Sequence, residues 1–138
     1  MLASPLHLNL FVYGTLRKGS DSEMGRWLMQ HAQWCGTGRV RGVLYEIESY
    51  PGFVPDPCGS WIQGDVFRLG PEKRESVLAA LDDYEQCSPR FPQPWEYRRE
   101  MLDINGPDGC LPAWTYVYAW PVEGKLPITS GDFLFRQP

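Results

Sequence analysis

The stretch from Phe11 to Gly19 reads FVYGTLRKG and combines a β-forming run with a glycine turn. A run of β-forming residues from Leu8 to Tyr13 stops at Gly14, which predicts a strand that leads directly into a turn. Successive backbone N–H groups in such a turn can form a concavity that suits a carboxylate, and Thr15 adds a hydroxyl. The alternative is an ordinary strand-ending turn in which Gly14 is needed only for its conformation.

The spacing of Gly14 and Gly19 partly matches the phosphate loop of nucleotide-binding proteins, which reads G-x-x-x-x-G-K-[ST]. Ser20 stands where the lysine of that motif must be, and Lys18 comes too early. The chain also has no repeated β-α-β rhythm, which is typical of the parallel architecture around such loops. We therefore exclude a nucleotide loop at this turn.

The remaining segments predict two helices and several strands. A first helix, capped by Ser20 or Asp21, is indicated by apolar residues at helical spacing. These residues are Met24, Trp27, Leu28 and His31. A second helix is expected to open at Gly70-Pro71-Glu72 and to continue to Tyr84 or Glu85.

Strands are predicted at 40–47, 61–69, 97–104 and 111–120, where β-forming residues and alternation of apolar and polar residues occur. The Pro- and Gly-rich segment 50–60 is expected to be a loop, and residues 105–109 a hairpin connection. This order favours an α+β fold with a mixed or antiparallel sheet, curved or closed, and two helices against it. We expect a single domain over residues 1–138.

The second helix carries acidic residues near its end. At about 100° per residue its apolar stripe includes Leu78 and Leu81, and Glu85 falls between them in projection. Glu85 is therefore expected to face inward. By the same count Asp82 sits at the edge of the stripe and Asp83 points to solvent. The rest of the stripe is expected to be Val77 and Tyr84.

A carboxylate at this position lies near the negative end of the helix dipole and has apolar neighbours. Both effects raise the pKa of Glu85, which tunes it for proton transfer near neutral pH. The alternative is a helix-end glutamate that reaches water or pairs with Arg98 or Arg99.

Taken together, FVYGTLRKG, LDDYEQC and the later Tyr97-Arg98-Arg99 resemble the gamma-glutamylcyclotransferase family, most closely its gamma-glutamylamine cyclotransferase and AIG2-like branches. The resemblance extends from Leu8 to the Ser130-Gly131-Asp132-Phe133 tail. It implies a small mixed β-barrel with flanking helices and a cavity between the glycine turn and the acid.

The resemblance also implies roles for individual residues. Glu85 would be the general acid/base, and Tyr97 would line the same cavity. The α-carboxylate and amino end of a gamma-glutamyl group would be held by Tyr13, Gly14, Thr15 and Leu16. In the implied reaction the α-amine of the substrate attacks its own γ-amide carbonyl, which closes 5-oxoproline and releases an amine or amino acid. This chemistry needs no cofactor, metal or protein nucleophile.

The proline-rich segment 87–95 makes the spacing between Glu85 and Tyr97 longer than expected for the family, and it could narrow the entrance. Trp95, Tyr116 and Tyr118 either line the pocket or fill the core. The sequence does not distinguish a gamma-glutamyl amino acid, a gamma-glutamyl-lysine remnant or a biosynthetic intermediate as substrate. A non-catalytic small-molecule binding module on the same fold is the alternative function.

Composition limits the other possibilities. The net charge of −4 provides no basic field, so nucleic acid is not expected as a partner. The apolar run from Leu8 to Tyr13 is too short for a signal core or a membrane span, so we expect a cytoplasmic protein. The single, scattered cysteines favour free thiols over disulfides, and neither they nor His7 and His31 show metal-ligand spacing. The oligomeric state stays open.

Overall fold

The strand before the glycine turn lies between two other strands of a closed sheet. In the computed structural model, residues 8–135 are described, so the predictions for the N-terminal residues and for His7 lie outside the described part. The strands are β1 (Leu8–Val12), β2 (Gln33–Glu46), β3 (Pro51–Pro55), β4 (Ser60–Leu69), β5 (Tyr97–Gly106), β6 (Gly109–Tyr118) and β7 (Leu126–Pro127). The helices are α1 (Glu23–His31), α2 (Arg74–Tyr84) and a short 3-10 turn (Phe133–Phe135).

Five strands close into a barrel. β1 pairs antiparallel with β4 and parallel with β6, which makes the sheet mixed. β4 continues to β2 and β6 continues to β5, and the pair Arg39–Asn105 joins β2 to β5. The short strands β3 and β7 extend β2 beyond the barrel. The predicted α+β fold, a small mixed β-barrel with flanking helices, is confirmed.

Alternation along β1 divides the core into two clusters. Leu10 and Val12 belong to a cluster that includes Leu28 of α1 and Leu81 of α2. Phe11 and the following Tyr13 belong to the other cluster, built from barrel strands. β1 therefore has one face toward the helices and one toward the barrel strands, as a period of two requires. The end of β1, which leads into the glycine turn, is therefore packed against a core cluster on each of its two faces.

Two strands were predicted incorrectly. β2 begins at Gln33, seven residues before the predicted start at Val40, because a bulge between Trp34 and Gly36 interrupts its alternation. The segment 50–60 was expected to be a loop, but residues 51–55 form β3. β3 pairs with β2 at the edge of the sheet, where a proline's missing N–H is tolerated.

The helix ends also differ from prediction. Ser22, not Ser20 or Asp21, caps α1, because its hydroxyl accepts the Gly25 N–H at 2.9 Å. Residues 70–73 form a turn, and α2 begins only at Arg74, with no side-chain cap. β6 ends at Tyr118 rather than at residue 120. These differences do not move the end of α2.

No helix within residues 8–135 has the length and apolar character needed to cross a membrane. All four cysteines lie in this part of the chain and are unpaired. Over the same range, His, Cys, Asp and Glu side chains nowhere gather in a group of three that could hold a metal ion.

Candidate active site

A cavity of about 360 Å³ lies where the glycine turn, the β2–β3 connection and the C-terminal end of α2 meet. Its volume is in the range of small-molecule sites. The six residues that were predicted to form the catalytic and substrate-binding site all line this cavity: Tyr13, Gly14, Thr15, Leu16, Glu85 and Tyr97. The cavity thus brings together the glycine turn and the acid, which are separated by about seventy residues of chain.

The glycine turn offers free backbone donors to this cavity. The turn is closed by the Arg17 N–H, which donates to the Gly14 carbonyl at 3.1 Å. The N–H groups of Gly14, Thr15 and Leu16 donate to no acceptor within the described residues 8–135. Buried N–H groups normally have a partner, so three consecutive free donors beside a cavity indicate an anion-binding position.

The turn is held from behind by buried charges. Arg17 Nε donates to Asp65 Oδ2 at 3.0 Å and its Nη1 donates to Asp132 Oδ1 at 2.8 Å. The Lys18 N–H and the Trp34 indole N–H also donate to Asp65. Because Asp65 lies on β4, this cluster fixes the backbone of the turn to the barrel.

The chain requires glycine at position 14 because of a close approach. A Cβ added to Gly14 would lie 2.7 Å from Cγ of Pro51, a separation that real Cβ atoms do not show. Pro51 also lines the cavity. Gly14 therefore lets the β2–β3 connection close against the turn. The ordinary-turn explanation, in which Gly14 serves only its own conformation, does not account for this contact.

A Schellman motif sets the position of Glu85 at the end of α2. The Gln86 N–H donates to the Asp83 carbonyl at 3.1 Å and the Cys87 N–H donates to the Asp82 carbonyl at 2.9 Å. Gln86 adopts φ +60°, a left-handed conformation that is usually left to glycine. The helix thus stops immediately after Glu85, and the side chains of Glu85 and Gln86 both line the cavity.

Glu85 is partly buried, its backbone N–H donates to the Leu81 carbonyl at 2.8 Å, and its side-chain carboxyl has no hydrogen bond or ion pair with any described residue between 8 and 135. Burial, followed by the negative charges of Glu96 and Asp82, raises the pKa of Glu85 to about 8. The alternative, that Glu85 pairs with Arg98 or Arg99, is wrong, because these arginines pair with Glu100 and Asp82.

Asp82, one turn earlier on α2, shows the opposite arrangement. It accepts Arg99 Nε at 2.9 Å and the Tyr116 hydroxyl at 2.7 Å. These contacts join α2 to β5 and β6, so the helix end cannot rotate freely about the barrel. Asp83 is likewise engaged, by Ser88 and Arg90.

The tyrosines of the predicted site have their hydroxyls engaged. Tyr13 donates to the Tyr116 carbonyl at 2.6 Å and accepts the Phe53 N–H at 3.2 Å. Tyr97 donates to the Pro51 carbonyl at 2.6 Å. Burial is the first cause of the raised pKa of both phenols. These groups shape the cavity wall and are not free donors to a ligand.

Other aromatic residues divide between site and surface. Tyr84 was expected in the apolar stripe of α2, but it is 42 % exposed. Its hydroxyl lies 3.1 Å from Thr15 Oγ1, across the rim of the cavity. Tyr116 lines the cavity, whereas Tyr118 is in the core and Trp95 packs against it.

Several other cavity residues had not been expected from the sequence. Tyr50 and Glu96 both line the cavity, and the Tyr50 hydroxyl donates to Glu96 Oε2 at 2.9 Å. Glu96 directly precedes Tyr97, but its distance in sequence from Glu85 concealed that the two carboxylates share a cavity. Tyr50 is the first residue of the segment that was expected to be a loop.

The arrangement can bind an anionic group at the amides of the turn while a carboxyl with a pKa near 8 holds or returns a proton nearby. Among the described residues that line the cavity there is no Cys or Lys, and the one serine, Ser49, has no hydrogen bond to a basic side chain. The arrangement suits a reaction whose nucleophile is part of the substrate.

Comparisons with known proteins identify the family of this chain. The family model described as gamma-glutamyl cyclotransferase, AIG2-like, matches residues 10–135. The gamma-glutamylcyclotransferase family protein YtfP of Escherichia coli K12 is 35% identical over 130 residues, which cover 94% of this chain and 98% of that protein.

Solved structures show the same fold. The solution structure of YtfP from Escherichia coli is 33% identical, with a TM-score of 0.61, over 93% of this chain and 97% of that one. An AIG2-like protein from Mus musculus is 23% identical, with a TM-score of 0.65, over 95% of this chain and 84% of that one.

Proposed function

The chain belongs to the gamma-glutamyl cyclotransferase, AIG2-like family and is an enzyme of that kind, and we propose that it converts a gamma-glutamyl amine or amide to 5-oxoproline with Glu85 as general acid/base. The observation that carries this proposal is the shared cavity. An unpaired carboxyl and three free backbone donors line it together.

The glycine turn is assigned to the α-carboxylate of the gamma-glutamyl group. The N–H groups of Gly14, Thr15 and Leu16 supply donors for this anion without a basic side chain. Tyr13 and Tyr97 contribute the wall of the cavity, since their hydroxyls are already engaged. The ionic cluster around Arg17 keeps the turn in place, so the α-carboxylate end of the substrate would be bound at a fixed position.

Glu85 is assigned to proton transfer. Its carboxylate accepts a proton from the α-ammonium of the substrate, and the freed amine attacks the γ-amide carbonyl carbon. The new C–N bond closes the five-membered ring. The protonated Glu85 then donates to the leaving nitrogen as its C–N bond breaks, and the ring nitrogen passes its second proton to the released amine, which departs as an ammonium. The approaching ammonium favours the ionised form of Glu85, which offsets the effect of burial on its pKa.

Positioning supplies the rest of the rate. The nucleophile and the electrophile belong to one molecule, and a well-oriented intramolecular attack can gain about 7–11 kcal/mol relative to a bimolecular one. The anchored turn and the anchored end of α2 hold the two ends of the gamma-glutamyl group. The cavity of about 360 Å³ leaves room for a leaving group beyond it.

The first prediction concerns Glu85→Gln, which keeps the size of the side chain but cannot carry the proton. We expect kcat for 5-oxoproline release from a panel of gamma-glutamyl compounds to fall by about 10²–10⁴-fold. Glu75→Gln on the exposed first turn of the same helix is the matched control and is expected to retain activity.

Unchanged turnover in Glu85→Gln, with a native circular dichroism spectrum, would contradict the assignment. Calorimetry provides the second readout. Binding of gamma-glutamyl compounds by the native chain without any 5-oxoproline would support the non-catalytic binding module instead.

We also propose that the chain acts as a single domain and that the reaction takes place in the cytoplasm. The family match over residues 10–135 supports treating the 138-residue chain as one functional domain with a small-molecule substrate. Four unpaired cysteines suit the reducing cytoplasm, where we place the enzyme.

A further inference from the structure

A second carboxylate in the cavity wall has no part in the cyclisation described above. Glu96 precedes β5, and its Oε2 accepts the hydroxyl of Tyr50 at 2.9 Å. Both side chains are partly buried and both line the cavity. The two residues are far apart in the chain, so the folded barrel creates this pair.

The charge of Glu96 is not balanced by a described cation. The neighbouring arginines are engaged elsewhere, Arg98 with Glu100 and Arg99 with Asp82. None of the described residues that line the cavity is Lys, Arg or His. Burial, followed by the hydrogen bond to Glu96, raises the pKa of Tyr50, to which Glu48 also contributes. The phenol therefore stays a donor and keeps the Glu96 carboxylate oriented.

The two ends of the gamma-glutamyl group are already assigned. Its α-carboxylate lies at the glycine turn and its α-amine lies near Glu85. Among the described residues of the wall, Glu96 is the remaining charged side chain, and with Tyr50 it is available to the group beyond the scissile amide bond. A carboxylate in a cavity without basic residues attracts a cation and repels an anion.

We propose that Glu96, oriented by Tyr50, is a specificity-determining residue that favours gamma-glutamyl substrates whose leaving amine carries a second, positively charged amine. This inference rests on the proposed function. The leaving group is then a diamine, in which one nitrogen leaves the amide and receives the proton from Glu85. The other nitrogen stays an ammonium and donates to the Glu96 carboxylate throughout.

The test compares three gamma-glutamyl probes of matched length. Gamma-glutamyl-diaminobutane has a distal ammonium, gamma-glutamyl-pentylamine has a methyl group in its place, and gamma-glutamyl-aminopentanoic acid has a distal carboxylate. We expect kcat/KM for 5-oxoproline release to decrease in that order. A charge-assisted hydrogen bond to Glu96 predicts a preference for the cation over the neutral probe of roughly tenfold or more.

Glu96→Gln removes the charge and keeps an acceptor for Tyr50. The ratio of kcat/KM for the cationic and neutral probes is expected to fall by about tenfold in this variant. Glu72→Gln, an exposed glutamate outside the cavity, is the matched control, and the ratio is expected to stay as in the native chain.

A salt series on the native enzyme needs no variant. Raising the ionic strength from about 0.01 M to about 1 M shortens the screening length from about 30 Å to about 3 Å. We expect kcat/KM to fall for the cationic probe relative to the neutral one. This readout applies even if Glu96→Gln does not fold.

The outcomes separate this inference from the proposed function. Equal kcat/KM for all three probes, or an equal loss for all three in Glu96→Gln, would overturn the role of Glu96 while leaving the cyclisation intact. No 5-oxoproline from any probe would overturn the proposed function and this inference with it.

Discussion

The two sides of the glycine turn treat charge in opposite ways. Behind the turn, Arg17 is paired with both Asp65 and Asp132, and the Arg17 and Asp65 side chains are 8% and 3% exposed. In front of the turn, Glu85 faces the cavity without a partner among residues 8–135. One side holds a closed ionic cluster, and the other holds a free acid.

This difference separates structural charges from chemical ones. A paired and hydrogen-bonded carboxylate such as Asp65 keeps the turn in place. An unpaired one such as Glu85 is costly to ionise, which raises its pKa and makes it an effective proton carrier. Asp82 and Glu85 repeat the contrast within one turn of α2. The fold therefore anchors both halves of the site with paired charges.

The largest expected effect on stability is for Arg17→Met, which leaves the buried carboxylate of Asp65 and the partly buried one of Asp132 without their cation. We expect the free energy of unfolding to fall by about 3–5 kcal/mol, since breaking a buried pair exposes the full cost of the unpaired charge. Urea unfolding followed by tryptophan fluorescence measures this change.

The same substitution at an exposed pair is the control. Arg26 pairs with Asp21 at 2.9 Å, but the Arg26 side chain is 62% exposed. Arg26→Met is expected to change the free energy of unfolding by less than about 1 kcal/mol. Equal losses in the two variants would mean that the cluster behind the turn has no special structural role.

A smaller effect on the free energy of unfolding is expected from pH. It comes from Glu85, on the cavity side of the turn. Because the pKa of Glu85 is raised from 4.5 to about 8 in the folded chain, folding favours its protonated form. The resulting stabilisation is fully present below pH 4.5 and is lost as the pH rises through about 8. Open contact with the cavity limits the effect to on the order of 2 kcal/mol.

The measurement is the difference in the free energy of unfolding between the native chain and Glu85→Gln as a function of pH. The glutamine variant lacks this titration. As the pH rises, the native chain is therefore expected to lose stability relative to Glu85→Gln. A difference that does not depend on pH would show that Glu85 has an ordinary carboxyl environment.

The sequence predicted the parts of the site that depend on local periodicity. β1 and its glycine turn followed from a β-forming run that ends at Gly14. The inward position of Glu85 followed from the phase of α2, because Leu78 and Leu81 are both buried and fix the rotation of the helix. The family resemblance then supplied the barrel.

The parts that depend on pairing between distant segments could not be predicted. Asp82 meets Arg99 and Tyr116 only because α2 packs on β5 and β6. Glu96 and Tyr50 meet through the β2–β3 connection, beside a strand that two prolines concealed. The hydroxyl of Tyr13 was expected at the substrate, yet it bonds to the backbone of β6 and β3.

The most direct test of the account is the titration of the Glu85 side-chain carboxyl by carbon-13 NMR, with Glu85→Gln used to assign its signal. We expect the midpoint of the Glu85 titration to lie at about pH 8, well above the ordinary value of 4.5. A midpoint near 4.5 would contradict it, because Glu85 would then be a solvated or paired carboxylate and not the proton carrier of the cavity.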